Sequence, residues 1–267
     1  MILFVAATFV WTWVFYGIIV FSGQSPYQMP GMLWLILGGA GPSIVGIILV
    51  YLTFDPQARR DYWRRAFSTS QIGLRWWAVI LLIFPTTFAI SIAIDLLLGG
   101  SAPGLEQFSA LMAAPLTWPL AILLSLMSGP VSEEFGWRGY ALDPVLRRIG
   151  IVPGTVMLGL IWAVWHLPLY FMPETWHGQM GFVLAGFWTF LLAGIADALI
   201  MTWIYLRTER SILSAILLHF MANFTGQLLA PVTDRVEIIR VVLLLGIGLV
   251  ACIRLAASNR SMTPSTA

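Results

Sequence analysis

Two glutamates in the sequence lie at a point where their side chains must serve different purposes. Glu133 and Glu134 follow an apolar run, and Arg138 lies one helical turn beyond Glu134. Residues four apart on a helix are neighbours, so Glu134 and Arg138 are predicted to form an ion pair. Glu133 points about 100° away and needs another partner. We therefore expect arginine to hold one carboxylate and the other to face a cavity, where it can act as a general base or acid.

Two histidines and an asparagine also lie inside apolar segments. His166 is part of LIWAVWHLPLYF, whereas His219 and Asn223 are four apart in ILLHFMANFTG and share one helix face. A single histidine in an apolar helix is more often structural than catalytic, and a single asparagine commonly hydrogen-bonds across helices. Ionisable groups within apolar spans are costly, however, and by default they indicate function.

The elements that must position these residues are membrane-spanning helices. Of the 267 residues, 59% are hydrophobic and only 10% are charged, whereas soluble domains carry about 25% charged residues. Runs of about 20 apolar residues without period-2 alternation predict spanning helices rather than barrel strands. The predicted fold class is therefore all-α, a polytopic bundle of about eight helices in one domain, 1–257, followed by a disordered cytoplasmic tail, 258–267. The predicted spans are 3–22, 32–53, 76–98, 116–135, 151–171, 181–205, 211–229 and 236–256.

The arginines predict the orientation of the bundle. The chain has no lysine, and twelve of its fourteen arginines fall on one side of the predicted spans, with Arg235 and Arg240 on the other. Cytoplasmic loops collect positive charge, so both termini are predicted to be cytoplasmic and the protein to lie in a plasma (inner) membrane. The net charge of +2 gives no indication of a nucleic-acid partner. Lipid and membrane-associated proteins or peptides are the predicted partners.

Chain geometry allows the three polar clusters to meet. If the helix containing Glu133 continues to about Arg148 and turns near Gly150, Glu133 and His166 each lie roughly 24–26 Å from that turn. His219 and Asn223 enter from the same side of the membrane. A shared buried site is therefore possible, and separate structural roles for the three clusters are the competing interpretation.

At these residues the sequence resembles the CPBP family of intramembrane endopeptidases, which includes CAAX proteases and bacteriocin-processing enzymes. The resemblance covers 116–230 and rests on three motifs in order. They read EEFGWR at Glu133–Arg138, WAVWH at Trp162–His166 and HFMAN at His219–Asn223. The chain departs from the family pattern at Trp162, where phenylalanine is commoner, and it keeps an aromatic residue there.

The resemblance implies an eight-helix protease whose site lies in the membrane and opens towards the cytoplasm. Glu133 and His166 would activate the attacking water, and His219 and Asn223 would stabilise the oxyanion. Glu134 and Arg138 would lie in a second layer and orient these catalytic side chains.

The cofactor is left open between two alternatives. Glu133, His166 and His219 match a known catalytic zinc set, two histidines and one glutamate with an open position for water. The same residues can also act without a metal, with Glu133 as general base, and the compact HExxH motif is absent from the sequence.

Alternative functions for the same fold are a non-catalytic scaffold or bacteriocin-immunity protein, and a small transporter with a Glu/His proton relay. The lack of inverted repeats disfavours the transporter. Whether a substrate would be prenylated is open. Four other polar residues are expected to have no catalytic role. Asp95 and Asp197 either line the cavity, lie nearer the interface or are buried, hydrogen-bonded structural acids, and the structural role is favoured. Glu174 and His177 are expected to be solvated loop residues.

Overall fold

The computed structural model describes residues 1–182, 184–230 and 232–261, which form helices and connecting turns with no strand among them. Fourteen α-helices are present in these residues. They are α1 (Ile2–Ser22), α2 (Gly31–Gly39), α3 (Gly41–Thr53), α4 (Pro56–Phe67), α5 (Leu74–Leu97), α6 (Glu106–Ala113), α7 (Trp118–Leu126), α8 (Ser132–Gly136), α9 (Leu142–Ile149), α10 (Ile151–Trp165), α11 (Trp176–Met180), α12 (Thr189–Arg207), α13 (Ile212–Leu229) and α14 (Asp234–Ser261).

Seven helical segments within the described ranges are long and apolar enough to cross a membrane, and α2 with α3 form an eighth, bent by 45°. Large apolar side chains cover the outside of the bundle; Phe21, Leu97 and Leu116 are 92%, 86% and 95% exposed. Such a surface is stable only against lipid. The predicted all-α, multi-pass membrane bundle is therefore confirmed.

The fourth span is broken in the middle, which the sequence analysis did not anticipate. Pro115–Ile149 forms one candidate span of 35 residues, but Ser128 and Gly129 leave the helical conformation. Pro130 explains the break, because proline has no amide hydrogen and its ring clashes with the preceding turn. Gly129 adopts a φ of 145°, a backbone conformation open to glycine but not to most other residues. Helix α8, which carries both glutamates, begins immediately after this break.

Helix α8 lies unusually close to α3. A Cβ added at Gly46 would lie 2.6 Å from Cα of Gly136, and one added at Gly136 would lie 2.1 Å from the carbonyl oxygen of Pro42. Small residues allow such an approach between membrane helices. Ser43 Oγ also donates a 2.8 Å hydrogen bond to the Val131 carbonyl. These contacts fix the backbone of α8.

The predicted hairpin at Gly150 is present. Gly150 has a φ of 89° and lies between α9 and α10, so α10 runs back alongside the fourth span. Helix α14 continues to Ser261 and so extends four residues into the segment for which a disordered tail was predicted. The remainder of that segment, 262–267, lies outside the described residues.

Candidate active site

A cavity of about 1040 Å³ lies between α3, the broken fourth span, α10, α12 and α13. The four residues predicted to be catalytic, Glu133, His166, His219 and Asn223, all line it. Glu134 and Arg138 do not line this cavity, and both are almost completely buried behind it. The structure thus brings the three sequence motifs together and separates them into a layer facing the cavity and a layer supporting it.

Glu134 is the centre of the supporting layer. Its Oε1 accepts a 2.9 Å hydrogen bond from Arg138 Nη1, so the predicted i,i+4 ion pair is present. The same oxygen accepts a 2.7 Å hydrogen bond from Nδ1 of His219. A histidine whose Nδ1 is held in this way presents Nε2 to the cavity. Glu134 therefore ties α8 to α13 and fixes the orientation of His219.

Glu133 faces the cavity and is held by an indole. Its side chain is 5% exposed, and Oε2 accepts a 2.5 Å hydrogen bond from Nε1 of Trp162. The guanidinium of Arg138 lies 4.7 Å from the centre of the same indole ring. Sequence reasoning treated Trp162 only as an aromatic residue of the His166 motif. Its N–H has a definite partner, which a phenylalanine at this position could not bind.

His166 lies at the end of α10 with a defined tautomer. Its Nδ1 is 2.9 Å from the carbonyl oxygen of Trp162 and must donate to it. In a neutral imidazole that arrangement leaves Nε2 as the basic nitrogen. The ring is surrounded by other aromatic rings, with centroid distances of 4.6 Å to Trp165, 5.3 Å to Phe190 and 5.5 Å to His177.

His219 and Asn223 converge on the break in the fourth span. A methyl group at Gly129 would lie 3.0 Å from Nδ2 of Asn223 and 3.1 Å from Nε2 of His219. Two nitrogens on one face of α13 therefore point at the same place, as their i,i+4 spacing predicted. The missing side chain of Gly129 keeps that place open. The Gly-Pro pair in the apolar run was the sequence signal for this feature, and it was not used.

His177 was predicted to be solvated, and this prediction was wrong. Its ring lines the cavity and stacks on His166 with an angle of 21° between the ring planes. Thr175 holds the loop in place: its Oγ1 donates a 2.8 Å hydrogen bond to the Leu169 carbonyl and accepts one from Gly178 N–H. Burial lowers the pKa of His177 to about 4. No local pattern signals this position, because the loop folds back onto the helix that precedes it.

Asp197 also lines the cavity, which was one of the alternatives for this residue beside the favoured structural role. It belongs to α12, and its nearest cation is Arg240 of α14, with Nη1 4.0 Å from Oδ1. That oxygen is buried and has no hydrogen-bond partner among the described residues. Asp95, by contrast, is buried and forms the ion pair expected of a structural acid, with the half-exposed Arg235.

The sequence also allows a zinc site at Glu133, His166 and His219. In the part of the chain that the structure describes, no group of three or more His, Cys, Asp or Glu side chains is arranged to hold a metal ion. Glu133, His166 and His219 are not grouped as ligands in this structure, and whether they bind zinc is tested with a chelator. Two of them have the relevant side chain oriented by another residue, Glu133 by Trp162 and His219 by Glu134.

The chain is a multi-pass membrane protein with a buried cluster of glutamate and histidine side chains, and comparison with known proteins shows that it is a peptidase. Residues 115–225 match the model of the Rce1-like family, described as type II CAAX prenyl endopeptidase Rce1-like. The chain is also 30% identical over 237 residues to CAAX prenyl protease 2 of Methanococcus maripaludis, covering 87% of this chain and 86% of that protein. The chain belongs to the Rce1-like CAAX prenyl endopeptidase family.

Proposed function

We propose that this protein is an intramembrane endopeptidase in which Glu133 and His166 activate water and His219 and Asn223 hold the oxyanion. Peptidase activity within the membrane follows from the family; the roles of the residues are our proposal. The observation that carries it is that these four side chains line one cavity while Glu134 and Arg138 lie behind it.

The chemistry begins with a water molecule between Glu133 and the scissile carbonyl. The Trp162 N–H donates a hydrogen bond to Oε2 of Glu133. We therefore propose that Oε1 accepts the proton from water. His166 Nε2, the basic nitrogen of its ring, would accept the second water hydrogen as a hydrogen bond and so orient the oxygen lone pair. The water oxygen then bonds to the carbonyl carbon.

The tetrahedral intermediate carries its negative charge on the former carbonyl oxygen. Asn223 Nδ2 and His219 Nε2 converge beside Gly129 and would donate to that oxygen, with His219 acting as imidazolium. When the carbon–nitrogen bond breaks, the proton held by Glu133 passes to the leaving amine. Glu133 returns to its ionised form, so the cycle needs no other reactant.

The substrate that we propose is a membrane-anchored peptide that binds in the cavity between the helices. The arginine distribution predicts that both termini and the short α9–α10 turn lie in the cytoplasm, and we propose a plasma (inner) membrane as the location. The Methanococcus relative is named for CAAX prenyl substrates. We therefore propose a prenylated CAAX-type peptide as the substrate class for this chain.

The test is a cleavage assay in detergent micelles or liposomes with a fluorogenic farnesylated CAAX-type peptide. We expect wild type to cleave it and Glu133→Gln to lose activity by about a thousandfold or more, since the general base is removed while the side-chain shape is kept. Exposed Glu106 offers the matched control, and Glu106→Gln should cleave like wild type. Full activity of Glu133→Gln would refute the proposal.

Two further assays test the substrate class and the need for a metal cofactor. The same peptide without the farnesyl group tests whether the lipid is needed for cleavage. A zinc chelator tests the metal alternative, and we expect cleavage to persist in its presence. Cleavage abolished by chelator and restored by added zinc would replace the glutamate mechanism with a metal-dependent one.

A further inference from the structure

His177 lies in the catalytic cavity although it belongs to none of the three motifs. Its ring faces His166 at 5.5 Å, and Phe190 packs against it edge-on at 4.8 Å. Its Nε2 atom is buried and has no hydrogen-bond partner among the described residues. A buried polar atom without a partner is unfavourable, and in a ligand cavity the missing partner is commonly a group of the ligand.

The position of His177 is fixed before any substrate arrives. Thr175 caps the short helix α11 through Gly178 N–H and also donates to the carbonyls of Leu169 and Met172. A Cβ at Gly178 would lie 2.0 Å from the Met172 carbonyl oxygen, so the loop is packed tightly against the end of the preceding span. A backbone held in this way limits the positions that the His177 ring can adopt, which lowers the entropy lost on binding.

We propose that His177 binds the main chain of the substrate peptide through Nε2, beside the water-activating residue His166. An extended peptide offers an N–H and a C=O at every residue, so either tautomer of a neutral imidazole finds a partner. Stacking on His166 places this contact next to the reacting carbonyl. The inference rests on the proposed peptidase function and adds a residue that positions the substrate.

The test distinguishes the contribution of the Nε2 hydrogen bond from that of ring packing. His177→Phe keeps the ring and its packing but removes both nitrogens. Glutamine places its amide nitrogen where Nε2 of histidine lies, whereas asparagine reaches only as far as Nδ1. Peptide affinity is measured by fluorescence anisotropy with the labelled farnesylated CAAX-type peptide, in a Glu133→Gln background so that the peptide stays intact.

We expect His177→Phe and His177→Asn to weaken peptide binding by about tenfold, the effect of losing one hydrogen bond, and His177→Gln to recover most of the affinity. Unchanged affinity of His177→Phe would overturn the proposal, as would equal loss in His177→Gln and His177→Asn. If His177→Phe lowers the thermal unfolding midpoint, its weaker binding could come from lost stability. The proposal is then tested by the affinities of His177→Gln and His177→Asn alone.

Kinetics of the single variants in the otherwise wild-type protein give an independent readout. A substrate-binding role raises KM more than it lowers kcat, whereas a purely structural role in orienting His166 lowers kcat. Failure of wild type to cleave the peptide would refute the proposed function itself. Cleavage by wild type with an unaltered KM in His177→Phe would refute only the role of His177.

Discussion

The Nδ1 atom of His219 and the Oε1 atom of Glu134 are joined by a 2.7 Å hydrogen bond across 85 positions of sequence. The same carboxylate oxygen pairs with Arg138. This one buried carboxylate therefore neutralises the charge of Arg138 and orients the His219 ring towards the cavity. Because both partners depend on it, Glu134 should matter for stability and for activity, although it does not line the cavity.

Glu134→Ala is expected to lower the free energy of unfolding by about 3 kcal/mol, because it leaves the buried Arg138 charge unpaired. It should also abolish cleavage, since His219 loses its orientation. Thermal unfolding in detergent and the cleavage assay measure the two effects. Glu106→Ala is the control: Glu106 is exposed and forms no ion pair among the described residues, so its loss should change stability by less than about 1 kcal/mol. Equal effects of the two variants would contradict the prediction.

Trp162→Phe tests the hydrogen bond to Glu133. We expect cleavage to slow by about tenfold or more, because a hydrogen bond to a charged group is lost from the general base. Trp165→Phe is the matched control, since Nε1 of Trp165 is buried without a hydrogen-bond partner among the described residues. Comparable losses of kcat in the two variants would show that ring size, and not the N–H, is what Glu133 requires.

Gly129→Ala should reduce cleavage by at least about tenfold, because the added methyl group occupies the place on which Asn223 and His219 converge. The backbone φ of 145° adds strain. Two controls separate these causes. Gly23 has a φ of 65° with nothing within 4 Å of a Cβ, and Gly246 has open space in α14. Gly23→Ala and Gly246→Ala should both retain activity; loss in Gly23→Ala would point to general backbone strain instead.

Gly136→Ala should destabilise the bundle by about 1–3 kcal/mol, as overpacking does in a close-packed interior. The added Cβ would lie 2.1 Å from the Pro42 carbonyl oxygen, and backbone cannot move aside as a side chain can. Because α8 carries both glutamates, cleavage should fall together with the unfolding midpoint. Gly17→Ala in α1, where the nearest atoms are 3.8 Å away, is expected to be neutral or slightly stabilising. An unchanged midpoint in Gly136→Ala would show that α3 and α8 can separate without loss.

Much of this protein was predictable from local spacing. Helical periodicity places residues four apart on one face, and so the Glu134–Arg138 pair and the shared face of His219 and Asn223 needed no tertiary information. Segment length and sparse charge gave the membrane bundle. The expected turn near Gly150 is present, and it brings α10 beside the fourth span.

Other features were decided only by packing in three dimensions. Trp162 could be recognised as aromatic, but its N–H acquires a role only because α10 passes within reach of Glu133. His177 belongs to a loop with no periodicity, and its place against His166 depends on the loop folding back through Thr175. Contacts such as these join residues on either side of a chain reversal. No fixed spacing in the sequence indicates which residues will meet. The sequence by itself determined the membrane helices and the polar face of each one. Only the tertiary structure decided which of those faces meet and which further side chains enter the space between them.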